Sequence, residues 1–325
     1  MSNIELYPLK FRPIFKEKIW GGQKINTILK KDFGDLDNCG ETWELSGVEG
    51  NISSVSNGPL ASKSLNELIV NYKDVLVGSS IYQSFGDEFP LLIKFIDAAE
   101  DLSIQVHPDD ELARKKHNGF GKTEMWYILQ ADKGATLISG FNKETNKEEY
   151  LEYFNSGKLT EILNEEEVRK GDVFFLPAGR VHTIGKGLLL AEIQQTSDIT
   201  YRIYDFDRVD KEGNKRELHV EDAMEAIDFR YFESYKTEYQ ESTDTPSNIL
   251  QTSFFTTNKI NALQTIKMDR SELDCFKIYI GVSGSGKIAK EPISFGEVML
   301  VPASMKQFEI EPNGELELLE TYIEL

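Results

Sequence analysis

The sequence predicts a mainly β protein that contains two related β units and a few short helices. Short apolar or alternating segments, bounded by Gly, Asn and Pro, outnumber the segments with helical spacing, and this is typical of β folds. The chain also contains an internal repeat, in which residues 170–178 align with residues 295–303. Both segments contain a Gly, an acidic residue, four apolar residues, a Pro and an Ala, and the upstream segments 126–129 and 276–279 also correspond. We therefore expect two copies of one β unit.

The N-terminal region is predicted to contain strands, loops and one helix. Residues 1–60 are rich in Gly, Asn and Ser, and residues 41–45 alternate as a strand does. Ser64 is a good N-cap residue, and the apolar residues of 65–78 recur with a period near 3.6. The sequence therefore predicts one helix over residues 65–78.

The central region is predicted to be mostly extended. Residues 89–98 and 102–107 read as buried strands, because both are short and rich in apolar side chains. Residues 109–117 follow a proline and predict a short helix. Residues 123–131 and 134–140 then predict a hairpin-like pair of strands.

The following region alternates between helices and strands. Residues 146–167 contain two short helical patterns, broken near Gly157. Residues 168–197 return to strands and turns, and residues 219–228 predict the last clear helix. Everything after residue 250 reads as short strands.

The repeat suggests how the chain is divided. A strand, a Gly-acid turn, an apolar strand and then Pro-Ala resemble the cupin superfamily, whose fold is a double-stranded jelly-roll barrel. The pattern alone leaves jelly roll and sandwich open. The polar residues 235–250 are a linker candidate. We expect a catalytic cupin domain with helical insertions at 1–240, and a cupin-like domain without a metal site at 241–325.

Composition limits the function classes. The chain has 325 residues and a formal net charge of −19, which opposes a broad nucleic-acid or anionic-membrane surface. Its longest apolar runs are far shorter than the about 20 residues of a membrane-spanning helix. We therefore expect small-molecule partners, no nucleic acid and no membrane. Cys39 and Cys275 are too few for a disulfide framework, so we expect a cytoplasmic protein.

Four polar residues could form a metal site. Gln105 and His107 are two apart on a predicted strand, so their side chains leave the same face. Glu124 starts the next strong strand, and His182 follows the apolar strand and Pro-Ala-Gly turn of the first repeat. Zinc accepts such nitrogen and oxygen ligands, although an amide is the least typical of them. Spacing alone leaves open that these are ordinary hydrogen-bonded residues.

Four ordered sequence blocks bring a family into view. FPLLIKFIDAAEDLSIQVHPDD, GKTEMWYIL, LPAGRVHTIG and AEIQQTSDITYR together resemble type I mannose-6-phosphate isomerases in their short bacterial form. The resemblance implies two cupin-type jelly-roll barrels and interconversion of mannose 6-phosphate with fructose 6-phosphate. It also implies one Zn²⁺ per chain, held by Gln105, His107, Glu124 and His182. The oligomeric state stays open.

The resemblance also implies roles for residues around the metal. Lys122 lies two residues before Glu124 and is a candidate for proton transfer, with a surface lysine as the alternative. Arg202 matches an active-site arginine that could stabilise enediolate charge, with an ion pair to Asp198 or Asp205 as the alternative. Glu192 matches an active-site acid, or is a structural acid near Arg202. Lys94 lies within an apolar run and could contact phosphate or form a structural ion pair.

Two further interpretations complete the prediction. The rival function is a non-catalytic sugar-binding or regulatory cupin, which has no need of all these residues together. In the second repeat, Gln307 stands opposite His182 and Asp274 opposite Glu124, so we expect no metal there. Residues 281–287 have the spacing of a phosphate loop, but Ile288 replaces the required Ser or Thr, and a glycine hairpin is the better interpretation.

Overall fold

The structure is a computed structural model that describes residues 5–210 and 212–325. Strands dominate it, which confirms the predicted mainly β class. The α-helices are α1 (Lys24–Thr27), α2 (Leu65–Tyr72), α3 (Asp74–Val77), α4 (Ser79–Phe85), α5 (Asp110–His117), α6 (Lys147–Asn155) and α7 (Val220–Ala226). The strands are β1 (Leu9–Lys10), β2 (Ile14–Lys16), β3 (Glu41–Leu45), β4 (Leu91–Ala98), β5 (Ile104–Val106), β6 (Glu124–Ala131), β7 (Thr136–Phe141), β8 (Leu163–Glu167), β9 (Val173–Leu176), β10 (His182–Ile184), β11 (Leu188–Gln195), β12 (Tyr201–Tyr204), β13 (Ser247–Gln251), β14 (Thr256–Ala262), β15 (Ile266–Asp269), β16 (Lys277–Ile288), β17 (Glu291–Ser294), β18 (Val298–Val301) and β19 (Gln307–Tyr322).

The strands form three sheets. One has the order β12-β5-β10-β7-β8 and a second the order β2-β3-β4-β11-β6-β9. The third has the order β1-β18-β16-β19-β14-β13, with β15 paired to β19 and β17 to β16. Strand pairs such as β6 with β11 and β10 with β5 are antiparallel. Strands adjacent in space are often far apart in sequence, as jelly-roll connections require.

The first two sheets enclose a common core. Leu137 of β7 and Ile184 of β10 meet Trp126 of β6 and Leu190 of β11 in one buried cluster. Side chains alternate between the two faces of a strand, so residues two positions from these also point inward. Glu124 and His182, two of the candidate metal ligands, occupy such positions.

The chain separates into two compact units. One contains residues 15–42 and 93–237, and the other contains residues 5–14, 43–92 and 238–325. The change at 237/238 lies close to the predicted boundary at 240, but residues 43–92 group with the C-terminal residues. Division into independently folding domains stays a prediction.

The second unit has its own apolar core and one buried polar cluster. Ile260, Leu318 and Met299 belong to the core, together with the ring of Tyr279. The Glu320 carboxylate accepts hydrogen bonds from Tyr279 (2.6 Å), Arg270 (2.7 and 2.9 Å) and Asn258 (3.0 Å). We call these four residues the Glu320 cluster. The Gly-rich run forms the hairpin of β16 and β17, which confirms the hairpin interpretation of residues 281–287.

The predicted helices are found, with two differences. The predicted helix 65–78 is broken at Lys73, whose φ of 47° lies outside the helical region, and becomes α2 and α3. Ser64 does cap α2, in a reciprocal capping box with Glu67. The second helical pattern of 146–167 is only a 3-10 helix, Leu159–Ile162, after which residues 163–167 form β8. Tertiary pairing with β7 overrides local propensity there.

In the described residues, no helix combines the length and apolar character needed to span a membrane.

Candidate metal centre

Three fully buried side chains converge inside the first barrel. The Nε2 atom of His182 lies 3.3 Å from Oε1 of Glu124, and Nε2 of His107 lies 3.6 Å from Oε2. The ligand atoms of the three residues all lie within 4.8 Å of one another. The residues are 0–1% exposed. Three of the four predicted metal ligands therefore form one cluster.

Strand register explains why distant residues meet. On neighbouring strands, Gln105 of β5 lies directly opposite His182 of β10 and Arg202 of β12. Directly opposed residues present their side chains to the same face of the sheet. The amide nitrogen of Gln105 lies 3.3 Å from Nε2 of His182, which places the fourth predicted ligand beside the cluster.

The hydrogen bonds of the two histidines aim their free nitrogens at the cluster. Nδ1 of His107 donates to the Ile199 carbonyl, and Nδ1 of His182 donates to the Arg180 carbonyl, each at 2.8 Å. Nε2 is then the unprotonated nitrogen of each neutral ring, and this arrangement is typical of metal-binding histidines. Burial and then the Lys122 charge lower the pKa of His107 well below its ordinary value, and lower that of His182 to about 3.

A cation fits this donor set. Two imidazole lone pairs face a buried carboxylate, and Oε1 of Glu124 has no hydrogen-bond partner among the described residues. The Lys122 ammonium lies 3.0 Å from Nε2 of His107 and contacts Oε2 of Glu124, so it offsets this repulsion on one side of the cluster. On the other side, Oε1 of Glu124 faces the lone pair of His182 Nε2, and a cation there would stabilise both. A 180° rotation of the Gln105 amide about its terminal bond would turn its oxygen toward the two rings. The residues present are therefore suited to a metal ion with nitrogen and oxygen ligands.

Two lysines and two glutamates form a buried charged network next to the cluster. Lys122 contacts Glu124 and lies 4.0 Å from Glu192. Lys94 lies 3.0 Å from Glu192, whose other oxygen accepts a 2.9 Å hydrogen bond from the Trp126 indole. Lys122 is thus buried in the site, and Lys94 takes part in an ion pair, one of its two expected arrangements. A role of Lys94 toward phosphate stays a prediction.

The network sets the charges of its carboxyl groups. Burial and then the Glu192 charge raise the pKa of Glu124 to about 7. Burial alone would raise the pKa of Glu192, but Lys122 and Lys94 outweigh it and lower that pKa to about 2. Burial lowers the pKa of Lys94, yet Glu192 and Glu41 outweigh it and the pKa is raised. Glu192 and Lys94 are therefore both charged at neutral pH.

Arg202 lies opposite Gln105 on β12, the edge strand of the sheet that carries Gln105 and His182. Its guanidinium donates a 2.6 Å hydrogen bond to the Glu217 carbonyl, and its Nε has no partner among the described residues. Asp205, one of the alternatives considered for it, instead pairs with Arg208 and Arg216. Arg202 therefore keeps donors that a ligand in the barrel could use.

Gln195, whose hydrogen bonds fix the loop that carries Lys122, was not predicted from the sequence. The Gln195 amide accepts from the Thr123 backbone N–H at 2.9 Å and donates to Asp110 at 3.0 Å. Ser139 was also missed. It lies directly opposite His182 and is fully buried, and its hydroxyl has no hydrogen-bond partner in the described part of the chain. Only the strand register could have identified them.

The remaining histidines do not join the cluster. Nε2 of His117 lies 2.8 Å from the Tyr201 hydroxyl, and Nδ1 of His219 accepts from the backbone N–H of Arg202 at 3.2 Å. Both have structural contacts.

Fold and site together define a cupin-type protein with a candidate metal centre in one of its barrels. The family model "Phosphomannose isomerase type I, catalytic domain" matches residues 8–142. Mannose-6-phosphate isomerase ManA of Bacillus subtilis is 37% identical over 95% of this chain and 97% of its own. The chain therefore belongs to the type I phosphomannose isomerase family, as its sequence blocks predicted.

Other relatives agree with this assignment. A mannose-6-phosphate isomerase of Streptococcus mutans is 32% identical over 97% of this chain and 98% of its own. The crystal structure of the mannose 6-phosphate isomerase from Bacillus subtilis superimposes with a TM-score of 0.87 at 34% identity, covering 97% of this chain and 99% of the other. The predicted fold of two cupin-type barrels with a few short helices is thereby confirmed.

Proposed function

We propose that this chain is an aldose–ketose isomerase that interconverts D-mannose 6-phosphate and D-fructose 6-phosphate. The observation that carries the proposal is the buried cluster of His107, Glu124 and His182 with Lys122 against it. It occurs in a chain that resembles named mannose-6-phosphate isomerases over almost its whole length.

The reaction dictates what the site must do. A proton moves between C1 and C2 of the open-chain sugar, and negative charge develops on the sugar oxygens of the enediolate. The protein must therefore hold a proton-transfer group near these carbons and positive charge near the oxygens. Both kinds of group lie within the barrel.

His107, Glu124, His182 and Gln105 are the proposed ligands of one metal ion, and Zn²⁺ is the ion we propose. A bound Zn²⁺ supplies Lewis-acid stabilisation of the charge that develops on the sugar oxygens. The protein residues supply the rest. The hydrogen bonds to the Ile199 and Arg180 carbonyls hold the two imidazoles in the ligating orientation.

Three further residues have proposed roles in the reaction. Lys122 is the proton-transfer residue, because it is buried beside Glu124 and its position is fixed by the Gln195 contacts of its loop. Arg202 stabilises enediolate charge with the donors that the protein leaves available. Glu192 remains ionised and holds the Lys94 and Lys122 ammonium groups in place.

A coupled assay with mannose 6-phosphate tests the activity, run with and without a chelator, beside a metal analysis of the purified protein. Zinc at one per chain and chelator-sensitive turnover are expected. The Lys122→Ala and Arg202→Ala variants should lose about 100-fold or more in kcat and retain the metal. The exposed Lys133→Ala is the matched control and should behave as the unchanged protein.

The kinetic constants distinguish catalysis from binding. A residue that acts in the transition state lowers kcat and kcat/KM together when it is removed, whereas a residue that only holds phosphate mainly raises KM. Arg202→Lys should not restore activity, because an ammonium cannot reproduce the planar guanidinium. A near-normal kcat in either alanine variant would refute the role given to that residue.

The rival function, a non-catalytic sugar-binding or regulatory cupin, is not favoured. Its discriminating result would be metal and sugar phosphate binding without turnover. The cytoplasmic location is also part of the proposal, since two cysteines are too few for the disulfide framework of a secreted protein.

A further inference from the structure

Arg180 lies beside the candidate metal centre and has an unusual environment. Its carbonyl accepts the hydrogen bond from His182, so its backbone is tied directly to a proposed ligand. Its guanidinium packs against two aromatic rings that meet edge to face, with Cζ 4.6 Å from the centroids of both Phe232 and Tyr235 and those centroids 5.8 Å apart. The two rings hold the planar group in one orientation.

The guanidinium donors of Arg180 have no acceptor in the described part of the chain. The residue is only 8% exposed, yet no hydrogen bond or ion pair of the guanidinium occurs within the described residues. Its nitrogens are also not among the buried atoms sealed from solvent, so they retain solvent contact. The neighbouring Asp228 is already paired with Arg230 at 2.6 Å. A guanidinium presents five donors, and leaving them unpaired in a mostly buried group is unfavourable.

The two lysines of the barrel already face carboxylates, and Arg202 is the guanidinium that we assign to the enediolate oxygens. Lys94 pairs with Glu192, and Lys122 contacts Glu124. A phosphate group that reached Arg180 would therefore meet a cation whose donors have no acceptor among the described residues. Arginine is suited to this, because its planar donors match two phosphate oxygens at once.

We propose that Arg180 binds the phosphate group of the substrate, held for that purpose against the rings of Phe232 and Tyr235. This inference rests on the proposed function for the identity of the substrate. The shared chemistry, an oxyanion with at least two acceptor oxygens, does not depend on it. Arg180 positions the ligand and takes no part in proton transfer.

The competing explanation is that Arg180 only clamps the segment that carries the two rings. Arg230 offers a matched control, since it contacts the same Phe232 ring at 5.8 Å and carries the same charge. Its side chain is 76% exposed and already paired with Asp228. A change that acts only through the segment should appear in both variants.

The test measures binding of inorganic phosphate to the full-length, metal-loaded protein by calorimetry, and kcat and KM for mannose 6-phosphate. Arg180→Gln should weaken phosphate binding and raise KM by roughly 10- to 100-fold, the range for a hydrogen bond to a charged group, with kcat within about threefold. Arg180→Lys should recover part of the phosphate affinity, and Arg230→Gln should leave it unchanged.

The outcomes separate the two proposals. Unchanged phosphate affinity in Arg180→Gln, with only a lower melting temperature, would overturn the phosphate role in favour of the clamp. Phosphate binding that depends on Arg180 in a protein without isomerase turnover would support the anion site and refute the proposed function alone.

Discussion

The Glu192→Gln substitution tests the buried charged network most directly. The Glu192 carboxylate lies 3.0 Å from the Lys94 ammonium and 4.0 Å from that of Lys122, and accepts the Trp126 indole N–H at 2.9 Å. All four residues are at most 6% exposed. A glutamine has the same shape, but it has only one acceptor oxygen and no charge. It can satisfy either the indole or an ammonium, while its own N–H₂ faces the other donor.

The expected loss of stability is large. Removing one partner of a buried ion pair costs about 3–5 kcal/mol, because an uncompensated charge remains. In the unchanged protein, the ionised Glu192 lies near both the Lys94 and Lys122 ammonium groups, and Glu124, whose pKa is about 7, carries part of a second negative charge at neutral pH. The substitution leaves one excess positive charge beside the metal ligands, so metal affinity should fall as well.

Urea unfolding measures the loss of stability, once in the presence of a chelator and once with saturating zinc. Competition with a chromophoric chelator measures the metal affinity. The Lys94→Met/Glu192→Gln double variant is the control, and its coupling energy should show that the second change restores part of the stability. A loss below about 0.5 kcal/mol in Glu192→Gln, the size of an ordinary surface change, would refute the network as described.

Three further predictions concern other parts of the chain. Burial raises the pKa of the fully buried Asp97 to about 6, so the free energy of unfolding should fall by up to about 3 kcal/mol as pH rises from 4 to 6. The Asp97→Asn variant should not show this fall. The same pH dependence of unfolding in both proteins would contradict the prediction. Glu320→Gln leaves the buried donors of the Glu320 cluster unmatched and should cost about 3–5 kcal/mol in urea unfolding with kcat unchanged. Truncation after residue 240 should cause aggregation, because it exposes side chains such as Phe89, whose ring lies 4.7 Å from that of Phe276; a soluble, active fragment would contradict this.

The ligand cluster could be predicted from sequence because its pattern is local. Gln105 and His107 share a face by strand alternation, and Glu124 and His182 each begin a strand. Each motif is short, so its geometry follows from the strand that carries it. The prediction that they converge on one metal ion depended on the resemblance to a family, because their spacing alone is also compatible with ordinary hydrogen-bonded residues.

Residues whose role depends on long-range contacts could not be predicted. Lys94 was placed correctly within a buried strand, but the sequence could not choose between phosphate and an ion pair, because Glu192 belongs to a distant strand. Gln195 and Arg180 gave no signal, since the contacts that matter come from other segments. The break at Lys73 was also missed, because a positive φ at a lysine has no sequence signature.

The two copies of the repeat use their equivalent positions differently. Opposite Glu124 in the repeat stands Asp274, whose carboxylate accepts from the backbone N–H groups of Ser79 and Ser80. Opposite His182 stands Gln307, which is exposed and donates to Asp269. The second copy thus directs both polar side chains to structural contacts.

The buried carboxylates Glu320 of the second unit and Glu124 of the first barrel also differ in their hydrogen-bond partners. Both oxygens of the Glu320 carboxylate accept hydrogen bonds from protein donors, so this buried group needs no ligand. In the first barrel, Oε1 of Glu124, the Ser139 hydroxyl and Nε of Arg202 have no protein partner among the described residues. Unmatched buried polar groups are unfavourable for stability, and they persist where a ligand completes them. Buried polar atoms without a partner also occur in the second unit, at Ser247 and Asn261. The first barrel is distinguished because its unmatched groups lie on strands opposite one another, beside the His107, Glu124 and His182 cluster that is the candidate metal site.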